Sequence, residues 1–145
     1  MSKFFKLIGL ILLTASFNST SFSKENFFNE ALEFFKKEKY EDARFLFERN
    51  IVFNPKDSKS YLYLAKIFKK EENEFEEEKN INATLLLESD NEEAMYMLID
   101  IKLEKSDIKK VEDLKEKFKI ICDTLCSKID SIDERLSNIN VENES

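Results

Sequence analysis

The stretch KYEDARFLFERNIVFNPKDSKSYLYLAKIF, residues Lys39 to Phe68, contains two apolar helical patterns separated by a proline. In the first pattern, Ala43 and Phe47 are spaced so that they share one face of a helix. Pro55 is the only proline of the chain. It lacks an amide hydrogen and disfavours the helical conformation of the preceding residue. We therefore predict that one helix ends before Pro55 and that another begins after it.

The composition of the whole chain favours helices. It has 145 residues, enough for one domain, with one Gly, one Pro and 37% charged residues. A β-rich fold normally needs turn glycines, so this composition predicts an all-α protein. The 14 Phe and 4 Tyr supply a core and argue against disorder.

Asp57 or Ser58 is the predicted cap of the helix that follows the proline.

Residues 1–23 have the pattern of a secretory signal peptide: two lysines, a short apolar run and small residues before a cleavage point after Ser23. The apolar run is shorter than the roughly 20 residues that span a bilayer. The alternatives are an uncleaved anchor and a core helix. We expect a periplasmic or secreted protein with no stable membrane insertion after cleavage. The remaining chain has 21 basic and 30 acidic residues, a net charge of −9, which argues against a nucleic-acid partner.

Comparison of the chain with itself shows a repeat at an offset of 34 residues. Large residues, small residues and the residues near the helix ends recur at that offset. The corresponding sets are Phe27, Tyr61 and Met95; Ala31, Ala65 and Ile99; Phe34 and Phe68; Ala43, Glu77 and Val111; and Pro55 and Ser89.

This pattern resembles the tetratricopeptide repeat (TPR) family, whose 34-residue motif forms two antiparallel helices. The first unit matches the family motif best, and the match weakens toward the third. The matching residues of the first unit are Phe27, Ala31, Phe34, Tyr40, Ala43, Phe47 and Pro55. Departures include Asn50 and Glu77, at positions where the family usually has Ala, and the bulky Ile99. The resemblance implies a right-handed α-solenoid of about three helical hairpins.

The repeat sets the predicted domain organisation. Three TPR-like repeats occupy residues 24–57, 58–91 and 92–123, the last being degenerate. An amphipathic capping helix over residues 124–140 would cover the third repeat. Its apolar positions are Ile129, Ile132, Leu136 and Ile139. Residues 141–145 are expected to form a frayed tail.

The sequence offers little to support catalysis. The chain has no His, the commonest general base and metal ligand, and its only glycine, Gly9, lies in the predicted signal peptide. Carboxylates are plentiful, but none stands out from an ordinary solvated helix face. The acidic run EENEFEEE, Glu71 to Glu78, is interpreted as a solvated turn that enters a helix, with a site for a cation or basic partner as the alternative. We expect no enzyme activity, no cofactor and no metal site.

Cys122 and Cys126 are the only cysteines. In an exported protein they could form a disulfide if the helix breaks near Asp123 and Thr124. An unbroken helix would strain that bond. The alternatives are two buried free thiols and a weak metal-binding pair.

In proteins resembling TPRs, the first helices of successive repeats line a groove that binds an extended peptide or a partner helix. The resemblance implies a groove formed by Phe28, Leu32, Phe35, Lys36, Leu62, Lys66, Lys69, Lys70, Tyr96, Asp100 and Leu103. Such a surface would accept an apolar anchor accompanied by carboxylates. The predicted function is a non-enzymatic interaction scaffold or adaptor in the cell envelope, with an unidentified protein or peptide partner. The alternative is a structural module that self-associates into homo-oligomers.

Overall fold

The computed structural model describes residues 27–144, with side chains described through Ile139. The predicted signal peptide therefore lies outside the described residues. The described chain contains seven α-helices and no strand: α1 (Phe27–Lys36), α2 (Tyr40–Phe53), α3 (Ser58–Lys70), α4 (Glu74–Leu87), α5 (Glu92–Glu104), α6 (Ile108–Ile121) and α7 (Lys128–Glu144). None of these helices is long and apolar enough to cross a membrane.

The helices pair into three consecutive hairpins, α1 with α2, α3 with α4 and α5 with α6, and each hairpin packs against the next. Helix α7 contacts both α5 and α6. The second helices begin at residues 40, 74 and 108, at intervals of 34 residues. The predicted fold class, an all-α helical-repeat solenoid with a terminal helix, is confirmed. Helix α7 runs to Glu144, so the backbone of residues 141–144 is helical where a frayed tail was predicted.

The turn inside each hairpin repeats with the same interval. Glu38, Glu72 and Ser106 adopt positive φ angles of 58°, 55° and 53°. The amide of the residue after each one donates to a carbonyl five residues earlier, which is the pattern that closes a helix C-terminus. Glycine normally occupies this conformation because it has no Cβ. All three hairpins therefore turn in the left-handed region without glycine.

The connection at Pro55 separates two hairpins as predicted, since α2 ends at Phe53 and α3 begins at Ser58. Asp57 occupies the N-cap position of α3, but its side chain accepts no hydrogen bond from the helix backbone. The predicted capping bond is therefore absent. The carboxylate of Asp57 instead accepts hydrogen bonds from two side chains, those of Asn50 and Ser60.

The buried apolar side chains form two clusters. The first belongs to the N-terminal half and includes Phe47, Ile67 and Phe68. The second joins the middle hairpin to the third hairpin and α7, and includes Ile99 and Ile132. Because one hairpin cannot bury its apolar face alone, both clusters depend on stacking between neighbouring units.

Candidate functional site

The first helices of the three hairpins meet the start of α7 around an open cleft of about 410 Å³. Helices α1, α3 and α5 each contribute side chains, and the segment between α6 and α7 closes one side. The lining residues are Phe35, Lys66, Lys69, Lys70, Glu93, Tyr96, Met97, Leu125 and Lys128. We call this feature the cleft.

Five residues of the predicted groove lie together in the cleft. They are Phe35, Lys66, Lys69, Lys70 and Tyr96. The structure thus brings together a part of the predicted groove that spans all three first helices.

Two predicted groove residues are instead part of the core. Leu62 is 7% exposed and Leu103 is 3% exposed, and both belong to the cluster beneath the third hairpin. Leu103 shares that cluster with Ile132 of α7, the terminal helix that covers the third hairpin. The groove prediction is wrong for these two leucines, because their side chains are used in packing and present almost no surface.

The remaining predicted residues lie beside the cleft. Phe28 and Leu32 are half-buried on α1, and the ring of Phe28 packs 5.6 Å from that of Phe47. Lys36 is exposed and pairs with Glu33 at 3.0 Å. Asp100 is mostly buried, and its carboxylate forms ion pairs with Lys69 and Arg135. None of these four side chains lines the cleft.

An aromatic cluster supports the α1 side of the cleft. The ring of Phe35 lies 4.9 Å from that of Tyr63 in an edge-to-face arrangement, and 5.6 Å from that of Tyr40. Tyr63 stacks in turn on Phe47 at 5.2 Å. Such pairs stabilise beyond simple burial of area. They hold Phe35 in place as a preformed apolar wall.

Two lysines of the cleft are already paired within the protein. The ammonium of Lys66 lies 2.8 Å from Glu93 and 4.6 Å from the centre of the Tyr63 ring. Lys69 donates to Asp100 at 2.7 Å. Burial acts to lower the pKa of Lys69, but the hydrogen bond and negative charge of Asp100 outweigh it, so the pKa is raised. Lys69 is therefore held charged, and the ammonium groups of both lysines are partly neutralised by acids of the protein.

Asp100 joins the cleft to α7, because its other carboxylate oxygen accepts a hydrogen bond from Arg135. Burial acts to raise the pKa of Asp100, yet the bonds from Arg135 and Lys69 prevail and the pKa is lowered. The carboxylate is thus held ionised between two cations. This arrangement connects the middle hairpin, the third hairpin and the terminal helix.

Glu77 lies next to this network and is 5% exposed. Its Oε1 has no hydrogen-bond partner among the described residues. Burial raises the pKa of Glu77; the nearby charge of Lys69 opposes this, while the charge of Glu104 adds to it. A buried carboxylate therefore occupies a position where a TPR motif usually has a small packing residue.

Other acids of the run form ion pairs with the neighbouring hairpins. Glu71 accepts two hydrogen bonds from the guanidinium of Arg44 in the first hairpin, at 2.9 and 3.1 Å. Glu78 pairs with Lys102 and Lys105 in the third. The hydrogen bond from Lys102 is the main reason that the pKa of Glu78 is lowered. These acids therefore contribute to contacts between hairpins.

The segment between α6 and α7 contains a disulfide between Cys122 and Cys126, whose Cα atoms are 5.2 Å apart. We call residues 122–126 the disulfide loop. The backbone amides of Asp123, Thr124 and Leu125 donate to the carboxylate of Glu92 at 2.8, 3.1 and 3.0 Å. The Thr124 hydroxyl also donates, and these bonds lower the pKa of Glu92 to about 2. The loop is thereby attached to the start of α5.

Sequence reasoning missed four residues of the cleft: Glu93, Met97, Leu125 and Lys128. Leu125 and Lys128 belong to the segment predicted only as a cap. The ammonium of Lys128 lies 5.5 Å from the centre of the Tyr96 ring. No repeat offset relates the cap to the hairpins, so its position over α5 had no signal in the sequence. Within residues 27–139, no group of three or more metal-ligating side chains is arranged to hold a metal ion.

Solved structures of TPR-like proteins have the same fold. The Yersinia enterocolitica type III secretion chaperone SycD, in complex with a peptide of the translocator YopD, matches with a TM-score of 0.68 and 15% identity, covering 82% of this chain and 93% of that chain. A structure of the type III secretion translocator chaperone SycD from the same organism gives 0.69 and 15%, covering 83% and 86%.

The second TPR domain of the human RPAP3 protein, in complex with the HSP70 peptide SGPTIEEVD, matches with a TM-score of 0.62 and 20% identity, covering 77% of this chain and 90% of that chain. No family model and no curated protein matches the chain. At these identities the similarity establishes a TPR-like helical-repeat fold and nothing more.

Proposed function

We propose that this protein is a non-enzymatic adaptor that binds a peptide or a partner helix in the cleft. The observation that carries the proposal is the cleft itself. It places two aromatic side chains, Phe35 and Tyr96, among four lysines on a protein whose net charge is −7. Apolar anchors surrounded by complementary charge are the features by which grooves recognise short segments.

The electrostatics of the cleft favour one class of partner. Lys66 and Lys69 are paired with acids of the protein, whereas Lys70 and Lys128 form no ion pair with the side chains described. Lys70 and Lys128 are exposed, so they are available to carboxylates of a ligand. The partner is therefore a segment with a large apolar residue and nearby acidic groups.

The fold similarity supports this proposal. Two of the matched structures, SycD and the RPAP3 domain, are complexes with peptides. The predicted signal peptide supports a location in the cell envelope, where the adaptor would act. The absence of His from the chain supports a role in binding without catalysis.

A selection from random short peptides tests the proposal. The protein would be used as bait, and the enriched peptides would be measured by fluorescence polarisation. We expect peptides with one large apolar residue and at least two carboxylates. The double variant Lys70→Glu, Lys128→Glu should weaken their binding by about tenfold or more, equivalent to about 1.4 kcal/mol.

The matched control is Lys56→Glu, Lys109→Glu, which makes the same change in net charge at exposed lysines outside the cleft. It should bind the peptides nearly as well as the wild type, apart from weak long-range repulsion. The proposal is wrong if no peptide is enriched. It is also wrong if both double variants bind the enriched peptides equally.

A second candidate function, self-association, is favoured by apolar side chains exposed on the second helices. Phe75 and Leu86 of α4 are 76% and 85% exposed, and Ile120 of α6 is 83% exposed. Sedimentation at increasing protein concentration separates the two candidates. A mass that rises with concentration and is restored to that of a monomer by Leu86→Glu would favour self-association through these helices.

A further inference from the structure

The disulfide loop is positioned by two kinds of bond, the covalent bond between its ends and the hydrogen bonds from its amides to Glu92. The sequence of the loop, CDTLC, contains neither Pro nor Gly. Helix α6 nevertheless ends at Ile121, and Cys122 adopts an extended conformation with ψ of 140°. No residue with a strong intrinsic tendency to break a helix enforces this bend, so the disulfide is the main local constraint on it.

The loop also forms part of the cleft. The side chain of Leu125 lines it, and the amide of the same residue donates to Glu92. Glu93, the next residue of α5, lines the cleft and pairs with Lys66. Lys128 lies two residues after the loop, and its ammonium lies over the Tyr96 ring. A change in the path of the loop would therefore displace one wall of the cleft and one of its available cations.

The two cysteine residues differ in exposure. Cys126 is an exposed residue, while Cys122 is half-buried and packs against the core beneath α5. Thiol–disulfide exchange requires access to a sulfur atom. A dithiol reductant can therefore attack at Cys126 without unfolding of the core.

We propose that the oxidation state of Cys122 and Cys126 regulates the cleft, which binds its partner in the disulfide form and loses affinity when the disulfide is reduced. This inference rests on the proposed function of the cleft. In the reduced form the loop regains conformational freedom, and its amides no longer point together at Glu92. Leu125 and Lys128 then leave the positions in which they complete the cleft.

The reaction is a two-electron exchange with a dithiol. A thiolate of the reductant attacks Sγ of Cys126, forming a mixed disulfide and releasing Cys122 as a thiolate that takes up a proton. The second thiol of the reductant then displaces Cys126, which is also protonated. The reductant ends as a disulfide, and the two protons come from its two thiol groups.

The test compares the oxidised protein with the protein reduced by dithiothreitol, using the fluorescein-labelled peptide most enriched in the selection described above. We expect reduction to weaken binding by about fivefold or more, the lower limit of ordinary coupling between sites. Hydrogen exchange at the amides of residues 123–125 should accelerate on reduction, and circular dichroism should show that the helices are retained.

Two variants serve as controls. The double variant Cys122→Ser, Cys126→Ser should bind like the reduced protein, and dithiothreitol should have no effect on it because the chain has no other cysteine. Glu92→Gln should weaken binding with the disulfide intact, since a neutral amide accepts the loop amides less strongly than a carboxylate.

The outcomes separate the two proposals. Equal peptide affinity of the oxidised and reduced proteins would overturn the redox inference and leave the proposed function standing. Unchanged hydrogen exchange at residues 123–125 would overturn the mechanism on which the inference depends. Failure of either form to bind any selected peptide would overturn the proposed function, and the redox inference with it.

Discussion

The side-chain amide nitrogen of Asn50 lies 2.7 Å from a carboxylate oxygen of Asp57 and 2.9 Å from the hydroxyl of Ser60. The Ser60 hydroxyl donates to the same carboxylate oxygen at 2.6 Å. These three side chains connect the end of α2 to the start of α3 across the Pro55 turn. The departure of Asn50 from the alanine usual in TPR motifs therefore has a structural reason.

We predict that Asn50→Ala lowers the free energy of unfolding by about 1–3 kcal/mol, because it removes two hydrogen bonds at a buried position. Denaturant unfolding measures the change. Asn82→Ala is the matched control, since Asn82 is exposed on α4 and its replacement should change the free energy by no more than about 0.5 kcal/mol. Equal effects of the two substitutions would contradict the role assigned to Asn50.

Replacing a left-handed turn residue by glycine should stabilise the protein. Glu72 has a φ of 55°, which costs a non-glycine residue about 1–2 kcal/mol. Glu72→Gly should raise the free energy of unfolding by about 0.5–1 kcal/mol after the greater flexibility of glycine in the unfolded chain is counted. Thermal unfolding measures the gain. Glu72→Ala removes the same charge but keeps the Cβ, so a comparable gain from Ala would show that the charge was responsible.

The buried carboxylate of Glu77 should make stability depend on pH. Because its pKa in the folded protein is raised above 4.5, the folded protein binds this proton more tightly than the unfolded chain. The group therefore opposes folding above its folded pKa, and this cost disappears as the pH falls toward 4.5. Glu77→Gln should be more stable than the wild type at pH 7, with a difference that shrinks as the pH is lowered.

Glu78→Gln is the control for that measurement, since the pKa of Glu78 is lowered by its bonds to Lys102 and Lys105. This variant should be less stable than the wild type at pH 7, and the deficit should shrink as the pH falls below 4.5. Unfolding free energies measured across this pH range check both signs. Parallel profiles for the wild type and Glu77→Gln would refute the assignment to Glu77.

The terminal helix should be required for the stability of the third hairpin. Ile132 of α7 is 1% exposed and belongs to the core cluster that contains Phe118. Ile132→Ala should reduce the free energy of unfolding by about 2–5 kcal/mol through loss of burial and formation of a cavity. Leu86→Ala, at an exposed position of α4, should have little effect on monomer stability. Chemical denaturation of both variants gives the comparison.

The sequence predicted the fold well because the repeat is regular. The offset of 34 residues, the break at Pro55 and the apolar positions of the terminal helix each carry a local pattern that packing preserves. The left-handed turns carried no such pattern, since Glu38, Glu72 and Ser106 are not residues that normally mark this conformation. The missing hydrogen bond from the α3 backbone to the Asp57 side chain could not be predicted either. Asn50 binds that carboxylate instead, through a contact formed only in the tertiary fold.

The site was predicted less completely than the fold. Lys66, Lys69 and Lys70 share one helix, so their proximity follows from helical spacing. Leu62 occupies the same helix but faces the core, because the third hairpin packs against it. The contributions of Leu125 and Lys128 depend on where the terminal segment crosses α5. That crossing is set by contacts between distant residues, which no repeat pattern records.

The ion pairs between hairpins have a consequence for the order of the repeats. Lys66 and Lys69 of the middle hairpin pair with Glu93 and Asp100 of the third. The residues 34 positions before those two acids are Lys59 and Lys66 (93 − 34 = 59 and 100 − 34 = 66). A second copy of the middle hairpin in the third place would therefore set lysine against lysine. The hairpins share one architecture but are not interchangeable, and their charges specify which unit can follow which.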